Sequence, residues 1–310
     1  MENLVTVARQ VAILFVLMGF GAAMRKAKFF KDNAIDGIVN VLILVVTPCL
    51  IIDVFQRPFD PSMLKGLGIA FALAVSIHIA LIVAVRAVVR HRNEDVRRPL
   101  LLAAVFSNAG FIGIPLEQAV LGDGGVFYGI VYIVVFNLFI WSWGYRVMKR
   151  EECKAGNKAK IIANPGTVGL ALGAPLFFFS VKLPEVIGAP IHHMANLNTP
   201  LAMIVIGYCL VGARFGRVAR IGPVYAAAFV RLIACPLLAI AALYPFRGAL
   251  DRNMMLAMVI AASAPVAAMV SMFATKFGRD VDVSVAIVSG TTLLSILTMP
   301  VVIALAMAVL

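Results

Sequence analysis

Charge is what this sequence has least of. Of 310 residues only 14% are Asp, Glu, Lys or Arg, against 62% hydrophobic, and the mean hydropathy is +1.00. A water-soluble globule carries about a quarter charged residues, so no soluble fold of this size hides so much apolar side chain. Acid is the scarcer sign, 15 residues against 27 basic, for a net charge of +12. That surplus would suit a nucleic acid only if it clustered on a water-facing surface. It falls instead in short loops between apolar runs, so no nucleic-acid partner is expected. Cysteine is sparse as well. Cys49, Cys209 and Cys235 lie in apolar runs and Cys153 in a basic loop, with no CxxC or Cys/His spacing, which leaves no disulfide framework and no metal site. Also missing are the paired intramembrane aspartates, Ser/His dyad or HExxH of an intramembrane protease, and the filter loops of a channel. Neither an enzyme nor a cofactor is expected. The first apolar run, Val11 to Ala23, ends on Met24-Arg25-Lys26 instead of small residues, which argues against a cleavable signal peptide.

A spanning helix needs about 20 mainly apolar residues. Ten such runs are present, at 5–24, 34–55, 64–89, 98–121, 124–147, 164–181, 188–212, 221–244, 252–274 and 282–308. Their length excludes a membrane β-barrel, whose strands alternate over about ten residues. The expected fold is an all-α polytopic membrane protein with ten transmembrane helices in a lipid bilayer. Alternate loops differ in charge. Those after runs one, three, five, seven and nine hold 20 of the Lys and Arg residues, and the opposite loops hold 5. The positive-inside rule then places the basic set in the cytoplasm and both termini on the outer side of a plasma (inner) membrane.

The two halves of the chain echo each other. Arg98-Pro-Leu-Leu-Leu-Ala opens run four, and Arg252-Asn-Met-Met-Leu-Ala opens run nine, 154 residues later. Thr47-Pro48 in run two has a counterpart in Thr199-Pro200 of run seven. Each half is thus a five-helix unit, 1–148 and 164–310, joined by a cytoplasmic loop at 149–163. Five is odd, so the second copy enters the membrane from the opposite face. Inverted repeats of this kind supply inward-open and outward-open states of similar energy in secondary transporters.

Run four contains Ser107-Asn108-Ala109-Gly110-Phe111-Ile112-Gly113-Ile114-Pro115, and run nine contains Ala262-Ser263-Ala264-Pro265 at nearly the equivalent place. Glycine and proline at mid-membrane interrupt a helix, and the freed backbone must face protein or a wet cavity. Two helices broken at one level would aim their half-helix N-termini at a common point, a geometry suited to a carboxylate.

These residues carry a family resemblance. Asn108, Gly110, Gly113, Pro115 and Leu116 form an Asn-x-Gly-x-x-Gly-x-Pro-Leu pattern that resembles the signature of the auxin efflux carrier family, plant PIN carriers and bacterial permeases for auxin-like and dicarboxylate anions. Thr47-Pro48, Pro200, Ile206-Gly207 and the stretch from Ser289 to Pro300 resemble it too. The resemblance implies a scaffold of helices 1, 2, 6 and 7, a transport domain of helices 3–5 and 8–10, an elevator-type motion, and a homodimer through the scaffold. It also implies that Asn108, Pro115 and Pro265 line the substrate site. Ala262 and Ser263 stand where plant members have a second asparagine, and the plant carriers' long central loop is absent.

Polar residues inside the apolar runs complete the candidate site. Arg231, midway along run eight, is costly in lipid and must face a partner. It would attract a substrate carboxylate, compensate a protein carboxylate, or pair with helix C-terminal carbonyls near a break. Glu117, Asp53 and His78 are candidates for proton coupling, with an interfacial or helix-bridging role as the alternative. Gly110, Ser263, Asn137 and Thr291 lie close enough to the breaks to bind substrate. Asn40 and Thr47, seven apart on one helical face, and Asn198 and Thr199 in run seven, line the path from the scaffold side or bond helices together. Ser284, Thr291, Ser295 and Thr298 mark one face of run ten, a packing surface of the transport domain, and Trp141 and Trp143 read as an interfacial belt. The leading expectation is a secondary transporter of a small organic anion such as malonate, malate or an auxin-like acid. The alternatives are a proton- or sodium-coupled cation/proton antiporter-like carrier, a channel, or an intramembrane enzyme.

Overall fold

The computed structural model describes residues 2–29, 32–149, 165–211 and 216–310. The expected loop at 149–163, with Cys153, lies outside the described residues apart from Lys149, as do Lys31 and Arg214. Among the described residues the secondary structure is helical, relieved by turns and one isolated bridge. The helices are α1 (Glu2–Lys26), α2 (Ala34–Phe55), α3 (Pro61–Val88), α4a (Glu94–Val105), α4b (Ala109–Leu121) and α5 (Asp123–Met148) in the first half. In the second half they are α6 (Pro165–Phe178), α7a (Glu185–Asn196), α7b (Asn198–Leu210), α8 (Gly222–Phe246), α9a (Arg252–Ser263), α9b (Met269–Lys276) and α10 (Val281–Val309). Six of them, α1, α2, α3, α5, α8 and α10, are each long and apolar enough to cross a membrane. The chain is a polytopic membrane protein.

Helix starts follow local chemistry. Asp60, Asn93, Asp251 and Asp280 each accept a hydrogen bond from a first-turn N–H, at α3, α4a, α9a and α10 respectively. Wide π turns interrupt α2 at Leu42–Val46, α5 at Ile140–Gly144 and α8 at Val230–Ala234. Each such turn shifts the helical register by one residue.

Two groups of helices pack against each other. In one, α1 lies along α7b and α2 along α6 and α7a. The α1–α7b approach is close enough to need glycine on both sides. A Cβ at Gly21 would fall on the Ile204 carbonyl, and one at Gly207 would fall on the Met18 carbonyl. In the other group α3 and α8 flank α4a and α9a, while α9a packs on α5 and α4a on α10. Its end near the basic loops is tied by two arginines. Arg98 Nη1 donates to the carbonyls of Val147 and Lys149, both at 3.0 Å. Arg279 donates to Met148 and Lys149 carbonyls and pairs with Asp95 at 2.7 Å. The start of α4a, the end of α5 and the α9b–α10 turn are thus held as one body.

Candidate functional site

Both expected breaks are present, and they meet. Residues 106–108 and 264–268 leave the helix, the second because proline disfavours helical backbone at the residue before it, here Ala264. The freed backbone groups find each other across the crossing. Asn108 N–H donates to Pro265 O at 2.6 Å and Ala267 N–H to Phe106 O at 3.0 Å, an antiparallel bridge centred on Ser107 and Val266. Val266 N–H donates to Thr291 Oγ1 at 3.2 Å. The Asn108 side chain turns back to accept from Phe111 N–H at 3.3 Å, capping α4b.

A cavity of about 420 Å³ lies against this crossing. Ser107, Asn108, Gly110, Ala267, Ala268 and Met269 form its floor, so the N-terminal ends of α4b and α9b open onto it. Asn137 of α5 and Ser289 and Thr292 of α10 complete that side. The opposite wall comes from the other helix group, through Thr47 and Ile51 of α2, Gly166 of α6, and Asn198 and Ile206 of α7b. The lining is mainly apolar. Among its described residues there is no Lys or Arg, and Asp36 is the one acid. Two donors stand in the wall. Asn198 Nδ2 and the Ser107 hydroxyl are both buried without a hydrogen-bond partner.

A family model described as membrane transport protein matches residues 6–303. The chain belongs to the membrane transport protein family. That is the auxin efflux carrier-like family that the sequence resembles at Asn108 to Leu116, and it is a family of transporters. No curated protein matches the chain. For a member of the membrane transport protein family, a cavity between two helix groups at a backbone crossing is the candidate substrate site.

Of the residues singled out in the sequence, Asn108, Gly110, Asn137, Thr47 and Asn198 line the cavity. Pro265, Ser263 and Thr291 support the crossing from behind. Pro265 supplies the carbonyl for Asn108, Thr291 holds Val266 N–H and donates to Ile287 O, and the Ser263 hydroxyl bonds back to Ile260 O. Pro115 is buried within α4b, just after the π turn at Ala109–Gly113 that opens it.

Arg231 corrects the expectation that it meets substrate. It is fully buried, stands outside the cavity lining, and donates to Val105 O (2.7 Å), Ala262 O (2.5 Å) and Cys235 Sγ (2.7 Å). These two carbonyls belong to the C-terminal ends of α4a and α9a, so the carbonyl-pairing alternative describes its geometry. The proton-coupling candidates are dispersed. Asp53 pairs with His192 at 2.9 Å in a separate surface groove with Lys182 and Glu185. His78 bonds Ala74 O at 2.8 Å and stacks on Phe139 inside the second helix group. Glu117 is fully buried with neither carboxylate oxygen partnered, in a slot that exists because residue 129 is glycine.

One face assignment changes. Asn40 is exposed while Thr47 faces the cavity, because the π turn between them breaks the seven-residue register. Thr199 likewise stands outside the lining. In α10 the cavity face runs through Val285, Val288, Ser289 and Thr292, next to the Ser284–Thr291–Ser295 stripe, which is buried in protein. Trp141 packs edge-on against Phe273, and Trp143 lies on Phe106 at the break. Ala267, Ala268 and Met269 were not singled out in the sequence. Their signal was Pro265, since the half-helix after a break must present its N-terminal end.

Proposed function

We propose that this transporter is a secondary carrier of small organic carboxylates, with the cargo held between the two helix groups at the crossing. One observation carries the reading. Two half-helix N-termini open onto one cavity, where their partial positive charge suits an anion. The largely apolar wall and the volume of about 420 Å³ favour a carboxylate with an apolar body over a small dianion such as malonate. Asn108, Ser107 and Asn198 are the polar groups that orient it.

Helix pairing supports a build of ten crossings as two inverted five-helix repeats. The contact of α1 with α7b is answered by that of α6 with α2, α4a with α10 by α9a with α5, and α3 with α4a by α8 with α9a. Helices 1, 2, 6 and 7 then act as scaffold, and helices 3–5 and 8–10 move past it in an elevator step. The cavity lining extends towards the ends of α2, α6, α7b and α9b that adjoin the basic loops, as in an inward-open form. The Asp53, Glu117 and His78 positions keep proton coupling as part of the proposal, to be read from the pH dependence of flux.

The test is ligand-dependent stabilisation of the purified protein. A ligand bound only by the folded state adds about 2.7 kcal/mol at one hundred times its Kd. Indole-3-acetate is expected to raise the melting temperature of the wild type and not of Asn108→Ala. Equal shifts in both would remove Asn108 and the crossing from the site.

A further inference from the structure

We propose that Arg231 sets the charge preference of the cavity without entering it. This rests on the carboxylate reading above. Each broken helix has two free ends, and the crossing brings all four together. The N-terminal ends of α4b and α9b, partly positive, open onto the cavity at Gly110, Ala268 and Met269. The C-terminal ends of α4a and α9a, partly negative, lie just behind the bridge that joins the two breaks. Each end carries about half an elementary charge, so the four would largely cancel at the cavity floor.

The guanidinium removes the negative pair from that sum. Arg231 Nη1 donates to Val105 O, the last residue of α4a, and Nη2 to Ala262 O, one residue from the end of α9a. The side chain is fully buried, so water does not screen the pairing. What remains towards the cavity is the positive pair of ends, with the unpartnered Asn198 Nδ2 and the Ser107 hydroxyl in the wall. An anion is therefore favoured in a cavity with no Lys or Arg among its described lining residues. Arg231 is a positioning residue that acts through two carbonyl ends. The π turn at Val230–Ala234 and the bond to Cys235 Sγ fix its direction.

The test compares a carboxylate with its uncharged amide on purified full-length protein. The probes are indole-3-acetate and indole-3-acetamide, with malonate as a second carboxylate, and the readout is the affinity ratio from calorimetric titration. The wild type is expected to prefer indole-3-acetate to the amide by at least about tenfold. Arg231→Met, of similar length and uncharged, is expected to bring the ratio to within about twofold while amide affinity stays in place. Arg231→Lys is expected to retain the preference. An arginine of purely structural importance would change both probes together or neither, and either result overturns the proposal. If Arg231→Met does not fold, Arg231→Lys decides, since loss of the preference there with amide binding kept also overturns it. A wild type that binds neither indole-3-acetate nor malonate refutes the carboxylate reading itself, and that outcome is distinct from an Arg231 variant that leaves the ratio unchanged.

Discussion

Gly19 and Gly21 stand two residues apart on α1 and are expected to respond in opposite ways to one substitution. At Gly19 a new methyl group meets nothing within 4 Å. Alanine there brings only its higher helix propensity, a gain of about 1 kcal/mol. At Gly21 the new Cβ falls on the backbone carbonyl of Ile204, with Ile204 Cα 2.9 Å away. Backbone cannot swing aside as a side chain does, so α1 must back off from α7b. That movement also opens the reciprocal contact between Gly207 and the Met18 carbonyl. Overpacking of this kind costs about 1–3 kcal/mol, towards the upper end where the neighbour is rigid. The propensity gain is common to both variants and cancels in the comparison. The gap between Gly19→Ala and Gly21→Ala is thus the overlap cost alone, about 1–3 kcal/mol with Gly21→Ala the less stable. Denaturant unfolding of both proteins in one detergent, followed by far-ultraviolet circular dichroism, measures it. A Gly21→Ala protein as stable as Gly19→Ala would refute the close helix contact.

The slot around Glu117 gives a paired prediction: Gly129→Ala places a Cβ on the Glu117 carboxylate and is expected to cost about 1–3 kcal/mol, whereas in a Glu117→Ala background the same change becomes neutral or stabilising. A double-mutant cycle with no coupling would show that the two residues do not meet. Thr291→Val strands the buried Val266 N–H beside the crossing, with an expected loss of about 1–3 kcal/mol. Unchanged unfolding free energy would mean that this N–H has another acceptor. At the basic-loop end, burial pushes the Glu94 carboxyl up, and the bonds and charges of Arg97 and Arg98 together outweigh it and hold it below the usual value. A carboxyl lowered on folding contributes stability that is present above its unfolded pKa and lost as pH falls through its folded one. The group is half exposed, so wild type should exceed Glu94→Gln by less than about 1 kcal/mol at neutral pH, with the difference vanishing in acid. A difference that grew on acidification would contradict the pairing.

The class of the fold was legible because lipid imposes a simple rule: backbone hydrogen bonds must close within each segment, so spans must be long, apolar and helical. The breaks were legible for a related reason. Pro265 takes its N–H out of the ladder and Gly110 and Gly113 weaken the helix where water cannot repair it, and both interruptions lie near their expected places. Residue types alone could not say which way each polar side chain turns. Asn40 and Thr47 share a face only on an uninterrupted helix, and nothing in Leu42–Val46 announces a π turn. The Ser284–Thr291–Ser295 stripe of α10 is a packing face, as its spacing suggests, and the cavity face lies one residue around from it, where the sequence carries no distinguishing mark.

Arg231 separates the two kinds of knowledge. The sequence determined that a charge so deep in the lipid has to be paired. Three partners satisfied that demand equally well on paper, because the cost of burying a guanidinium depends on compensation and not on who provides it. Only the tertiary structure brought Val105 and Ala262, 157 residues apart in the chain, to within reach of one side chain. Helix ends carry their charge in the backbone, where no residue type records it, and their meeting place exists only once the two halves have packed.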